Sequence, residues 1–239
     1  MPRSLLIKNL LKIPPSPTSS GQYQSNPSSI FIIHPYHYTV FSPQNLLASL
    51  LSPTTTTTPS SSSSLSREEA IPLLDTVQLL PVFDFPAAAQ AISQVSADLR
   101  KRQQQQYHTT TVLVIAGLDT LVEGIIRASN PIRGAAVLNV ALREVSDLSR
   151  VCASFLSVVL VNTGGLGAAG PGSGSSSGHG ERSLASLLPS LLQKTLDQGV
   201  DRHLLVSRVE VEGKGSGRMV EVIKDRVGDG LGLQYVDRC

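Results

Sequence analysis

Tryptophan is absent, and five phenylalanines and five tyrosines are the only aromatic residues of the 239. That scarcity argues against a base-stacking platform of the kind single-strand-binding barrels use. There are two cysteines, Cys152 and Cys239, which make neither a disulfide framework nor a metal knuckle and fit a reducing, intracellular compartment. No apolar run approaches the roughly 18 residues of a membrane span. A strong charge of either sign is also missing: the formal net charge is +2, which neither demands nor excludes nucleic acid, since a local basic patch would suffice. Most telling, no G-x-x-x-x-G-K-[ST] occurs, the stretch whose backbone amides and lysine cradle a triphosphate.

What is present suits one compact domain with polar tracts around it. Hydrophobic residues make up 41% of the chain, ordinary for a globular protein. Met1 to Lys12 carries Arg3, Lys8 and Lys12 among Leu5, Leu6, Ile7, Leu10 and Leu11, and no acid occurs before Glu68. Such a segment is a basic tail, the stub of a longer parent or a mitochondrial presequence. Residues 13–29, rich in Pro and Ser, read with it as a disordered tail, 1–29. Residues 30–239 form the domain, interrupted by a low-complexity insertion over 52–66 and a Gly/Ser-rich loop over 163–183, both too polar to bury anything.

Within the domain, "IFII" (30–33) is a short continuous apolar run, the mark of a strand buried on both faces, ended by His34 and Pro35. A short helix follows over 44–51, then a strand over 76–83. Ala88, Ile92, Val95 and Leu99 make one apolar stripe in a helix over 84–102 that closes on the basic turn Arg100 to Arg102. The strand "TVLVIA" precedes Gly117 and Asp119. Asn130 and Pro131 stand at the cap and first position of a helix whose buried face is Ala135, Leu138, Leu142, Val145, Leu148 and Cys152. "FLSVVLVN" (155–162) is a further buried strand, "LASLLPSLLQKTL" (184–196) is helical in pattern, and the strands flanking "GKGSG" form an antiparallel hairpin on the end of the parallel sheet. Strand, helix and strand at this spacing predict right-handed parallel crossovers.

Three stretches, "TVLVIAGLDTL", "RGAAVLNVALREVSDLSR" and "SVVLVNTGG", in that order and followed by terminal strands, resemble the RecA-type recombinase core. The likeness is to the eukaryotic strand-exchange recombinase paralogues, from Ile30 to the C-terminus. The resemblance implies an α/β, RecA-like P-loop NTPase-type core: a mostly parallel sheet with helices on both faces and a C-terminal antiparallel hairpin. It also implies a nuclear protein of homologous recombination and DNA repair, with the mitochondrion as the alternative.

Measured against that family, the nucleotide site is degenerate. The P-loop would precede residues 30–33, where this chain has its Pro/Ser linker. The water-activating acid after the first strand is replaced by His34, Pro35 and Tyr36. The metal-holding Asp would fall near Ala116, with Asp119 displaced by three residues, and the Asn-Gln pair opening the second DNA loop reads Asn162-Thr163. Lys214 lies in a hairpin turn. Asp119 is therefore either a carboxylate capping the next turn or a residual nucleotide-site acid, and Glu123 a solvated helix residue. No other cofactor is implied, and ATP enters only if a partner subunit shares it.

The segments 124–133 and 163–182 correspond to the loops that face DNA in a recombinase filament. They carry Arg127 and Arg133, and His179 and Arg182, as candidate DNA contacts. Arg143 and Arg150, beside Glu144 and Asp147, read as an ion-paired helix face, and His34 and His37 as a structural loop. The leading expectation is a non-catalytic paralogue that binds a recombinase or recombinase-paralogue subunit and single-stranded DNA, with no membrane association. The alternatives are an ATP-dependent recombinase-like enzyme whose P-loop lies upstream, and an interaction scaffold unrelated to DNA.

Overall fold

A computed structural model describes residues 29–51, 66–105, 109–162, 200–211, 215–226, 228 and 233–238. They fall into two compact units, one formed by residues 29–37 and 78–162, the other by 38–51, 66–77 and 200–238.

The first unit is built on a four-stranded parallel sheet in the order β2-β1-β3-β4. The strands are β1 (Ser29–Pro35), β2 (Val77–Val82), β3 (Thr111–Ala116) and β4 (Leu156–Val161). All six residues of β3 are buried, as are Ile30 to Pro35 in β1. A strand can be apolar without alternation only if both its faces leave water. The expected end of β1 at His34 is corrected: pairing carries on through Pro35, and the Tyr36 N–H still reaches the Val82 carbonyl at 2.8 Å. A Pro at a strand's last residue disrupts little, because the ladder has almost run out.

Three helices of this unit share the sheet face formed by Phe31, Ile33, Leu113, Ile115 and Leu156. They are α3 (Phe85–Gln104), α4 (Leu118–Ala128) and α5 (Pro131–Val151). Both long helices start the same way: Asp84 accepts the Ala87 N–H and Asn130 accepts the Arg133 N–H, each at 2.8 Å, with a proline in the first turn. A capping oxygen satisfies a donor that the helix start would orphan, and proline has no N–H to lose there. The anticipated stripes are buried except at Ala135, which is half-buried: Ala88, Ile92, Val95 and Leu99 on α3, and Leu138, Leu142, Val145, Leu148 and Cys152 along and at the end of α5.

Helix α4 and the first turn of α5 replace most of the loop expected over 124–133. Leu118, Leu121, Val122 and Ile126 are buried along one side of α4, and only Ser129 and Asn130 separate it from α5. Its close approach to α5 depends on Gly134. A methyl group there would overlap Ile126 Cγ1 and lie 3.4 Å from Val122 Cγ1, whereas one on the exposed Gly124 meets nothing within 4 Å. Gly124→Ala is expected to stabilise the unit by about 1 kcal/mol through helix propensity. Gly134→Ala is expected to lose stability, because overpacking costs about 1–3 kcal/mol and outweighs the same gain. Urea unfolding of the two variants checks the opposite signs.

The second unit holds a 3-10 turn (Thr39–Phe41), α1 (Pro43–Leu51) and α2 (Arg67–Asp75). Helix α2 was not anticipated; its signal was a capping box, with Glu69 N–H on Ser66 Oγ at 3.2 Å and Ser66 N–H on Glu69 Oε2 at 2.9 Å. The C-terminal strands β5 (Arg202–Val211), β6 (Gly215–Asp225) and β7 (Gln234–Arg238) make an antiparallel sheet in the order β5-β6-β7. The expected hairpin is therefore present, but it belongs to a separate three-stranded sheet and does not extend the parallel one. The helix predicted over 184–196 lies outside the described residues.

Candidate functional site

The strand order reverses at β1: the chain moves from β1 to β2 on one side and then to β3 on the other. In open parallel sheets such a switch point leaves a crevice beyond the carboxyl ends of the strands, where ligands bind. Ile33 is level with Ile115, and Ile115 with Leu160. The next row along is His34, Ala116 and Val161, and Gly117 and Asn162 follow one position further, so His34, Gly117 and Asn162 stand in two successive rows at the carboxyl edge of three adjacent strands, whose spacing is about 4.8 Å.

Each is shaped by its place. His34 is buried, and its Nδ1–H donates to the Pro35 carbonyl at 2.9 Å. Desolvation lowers its pKa, against the opposing pull of that backbone bond, so the neutral imidazole is favoured. Gly117 has φ 68, the left-handed conformation that glycine accepts without strain, and is the N-cap of α4. Asn162 Oδ1 is buried and meets no donor among the described residues.

Asp119 follows in the first turn of α4 and is 6% exposed. Gly117 holds the cap position of that helix with no side-chain bond. An acid in the first turn is favoured by the helix dipole, and it occupies the end where a phosphate would otherwise be drawn. Neither lysine nor arginine occurs in 34–38 or 116–120. Among the described residues, no three of His, Cys, Asp and Glu are grouped to hold a metal ion. This edge can position polar groups against a ligand, but those two segments bring it no cation to neutralise a triphosphate.

Two of the candidate DNA contacts, Arg127 and Arg133, lie on α4 and α5. Arg127 is exposed at the end of α4 and pairs with Glu123 one turn earlier, so Glu123 is an ion-pair partner and not simply solvated. Arg133 is exposed in the first turn of α5, six residues on. His179 and Arg182 lie outside the described residues. The ion-paired face expected around Arg143 and Arg150 is corrected: among the described residues Glu144 accepts a hydrogen bond from Ser93 Oγ at 3.1 Å instead, joining α5 to α3. Arg150 lines an open cleft of about 540 Å³ with Arg100, Gln103, Gln104, Asp147 and Val151. This cleft lies where α3 and α5 end, at the amino edge of the sheet, and so is not the switch-point crevice. Beside it Cys152 is buried and its Sγ–H donates to Gln103 Oε1 at 3.8 Å. Desolvation raises its pKa against the pull of Arg100, which keeps the thiol protonated and inert.

One feature of the carboxyl edge escaped sequence reasoning. Tyr36 and Phe83 stack with ring centroids 4.8 Å apart and are 64% and 77% exposed. Each aromatic ends its own strand, so only the adjacency of β1 and β2 reveals the pair.

His34 makes stability depend on pH. Its pKa is lower folded than unfolded, so the unfolded chain binds more protons between the two values, and stability rises with pH there. The contribution is complete above the ordinary histidine value of about 6.5 and is lost as the pH falls below it. His34→Gln is expected to flatten this part of the pH profile in urea titrations. No family model and no curated protein matches the chain.

Proposed function

We propose that the protein is a RecA-like, non-catalytic recombinase paralogue that acts in homologous recombination or DNA repair by docking on a recombinase-type subunit and contacting single-stranded DNA. One observation carries the reading most directly. The strand that resembles the family's metal-holding strand is the central β3, fully buried, and it opens onto Gly117 and the displaced Asp119 at the switch point, with no lysine beside it. Phosphoryl transfer relies on positioning and charge stabilisation. A core with its sheet intact and those groups absent keeps surfaces for assembly and loses turnover. The nucleus is the corresponding site of action, and any ATP would be held jointly with the partner.

Arg127 and Arg133 flank the two-residue break between α4 and α5 and are both exposed, a placement suited to successive phosphates. The test is a titration of the purified protein with labelled oligo(dT) across a salt series, with recombinase coprecipitation in parallel. Binding is expected to weaken with salt, and changing both arginines to alanine to reduce the log–log slope by about 1.4, at roughly 0.7 for each phosphate contact to a single strand. No binding at low salt together with no coprecipitation would leave a scaffold unrelated to DNA. Release of phosphate from magnesium-ATP by the purified chain would establish an enzyme instead.

A further inference from the structure

The cleft between the ends of α3 and α5 brings together Arg100 from one helix and Arg150 from the other. Both are exposed, and among the described residues neither forms an ion pair. Arg102, in the same turn as Arg100, is committed instead: it pairs with Asp98 at 2.9 Å and lies over the Phe31 ring. The helix ends make little demand on the two free guanidinium groups. A helix C-terminus leaves carbonyls that draw cations, but here neutral donors meet several of them. Gln103 Nε2 donates to the Val151 carbonyl at 2.8 Å, and the Gln105 N–H to those of Lys101 and Arg102 at 3.2 and 3.1 Å. Gln103 also accepts the Cys152 Sγ–H, so one side chain of α3 holds the end of α5 and sets the two walls of the cleft. The charge of Arg100 is felt inside the protein too, where it pulls the Cys152 thiol against its desolvation.

We propose that this cleft binds a phosphate group, free or as a small phosphomonoester, between Arg100 and Arg150. Two planar guanidinium forks arriving from different helices suit a tetrahedral oxyanion, whose several oxygens engage both. A carboxylate has two oxygens, which a single fork satisfies. Asp147 also lines the cleft and forms no ion pair among the described residues, so the two arginines leave the lining one positive charge in excess. The Gln104 amide adds neutral donors. The volume of about 540 Å³ lies within the roughly 300–1,000 Å³ of small-ligand sites.

The cleft is separate from the candidate DNA contacts. About 26 Å of helix divides Arg150 from Arg133, at 1.5 Å per residue, and Glu144 and Asp147 stand in the interval, where they repel a chain of phosphates. Phosphate binding here needs neither DNA nor a recombinase, and so stands apart from the function proposed above.

The test uses inorganic phosphate, added to the full chain at constant ionic strength against chloride, with the thermal unfolding midpoint followed by circular dichroism. A bound anion stabilises through an occupancy that half-saturates at its dissociation constant, whereas excluded anions stabilise every variant alike. Arg100→Gln and Arg150→Gln are each expected to raise the apparent dissociation constant about tenfold or more. Arg143→Gln, on the same helix as Arg150 but outside the cleft, should leave it unchanged. Methyl phosphate separates the two sources: equal potency assigns a phosphomonoester, and lost potency assigns the free ion. A phosphate response that is absent, or the same in both arginine variants as in the parent, overturns the proposal. So does a smaller salt slope for oligo(dT) in Arg100→Gln or Arg150→Gln, which would make the cleft part of a DNA path.

Discussion

Leu113→Ala is expected to lower the unfolding free energy of the parallel-sheet unit by roughly 2–5 kcal/mol. Leu113 sits mid-strand in β3 with 0% exposure, in the cluster that joins the sheet to α3, α4 and α5. Removing its outer carbons forfeits their transfer from water and leaves a cavity that a close-packed strand cannot collapse. Domains are typically stable by only about 5–15 kcal/mol, so the loss is a large share of the total. Urea unfolding should show a lower midpoint with an unchanged slope, the sign that stability and not the unfolded state has altered.

The neighbouring substitution has a larger expected effect. Val114 is also 0% exposed, yet its side chain points to the opposite sheet face, because successive strand residues alternate. Val114→Asp places a carboxyl group where no compensating charge is near in sequence, and an unpaired buried charge costs about 3–5 kcal/mol before the lost valine packing is added. The cooperative unfolding transition is expected to vanish, while Val114→Ala should keep it at a reduced midpoint. If β3 had one wet face, one of these adjacent positions would accept its substitution without effect. Equal intolerance at both distinguishes a two-face-buried strand from an ordinary half-buried one.

Much of this unit was legible in the sequence because local chemistry and burial agree there. The continuous runs of β1 and β3, the stripe on α3 and the cap at Asn130 each announce an element without help from the rest of the chain. Helix α4 was obscured because Gly124 and the short Ser129-Asn130 break look like a loop, although Leu118, Leu121, Val122 and Ile126 keep helical spacing. β4 was recognised as a strand but read as fully buried, since composition reports what a strand could cover and not whether a neighbour covers it. The crevice was half visible: Asp119 and Asn162 could be picked out, but that His34, Gly117 and Asn162 all stand at one edge of the sheet comes from strand order, a long-range property. Nothing local told the C-terminal strands to make a sheet of their own.

The register of the parallel sheet also sets an order of assembly. Pairing Thr111 with Leu156 closes roughly 45 residues of chain, most of them already held in two helices, whereas pairing Ile30 with Val112 closes roughly 80, with a polar tract between. Contacts made across shorter loops cost less entropy before they are rewarded. The β3-α4-α5-β4 segment should therefore form the folding nucleus, with β1 arriving late. In kinetic terms, truncations at Leu142 or Leu148 should slow refolding, while truncations at Ile30 or Ile32 should mainly hasten unfolding.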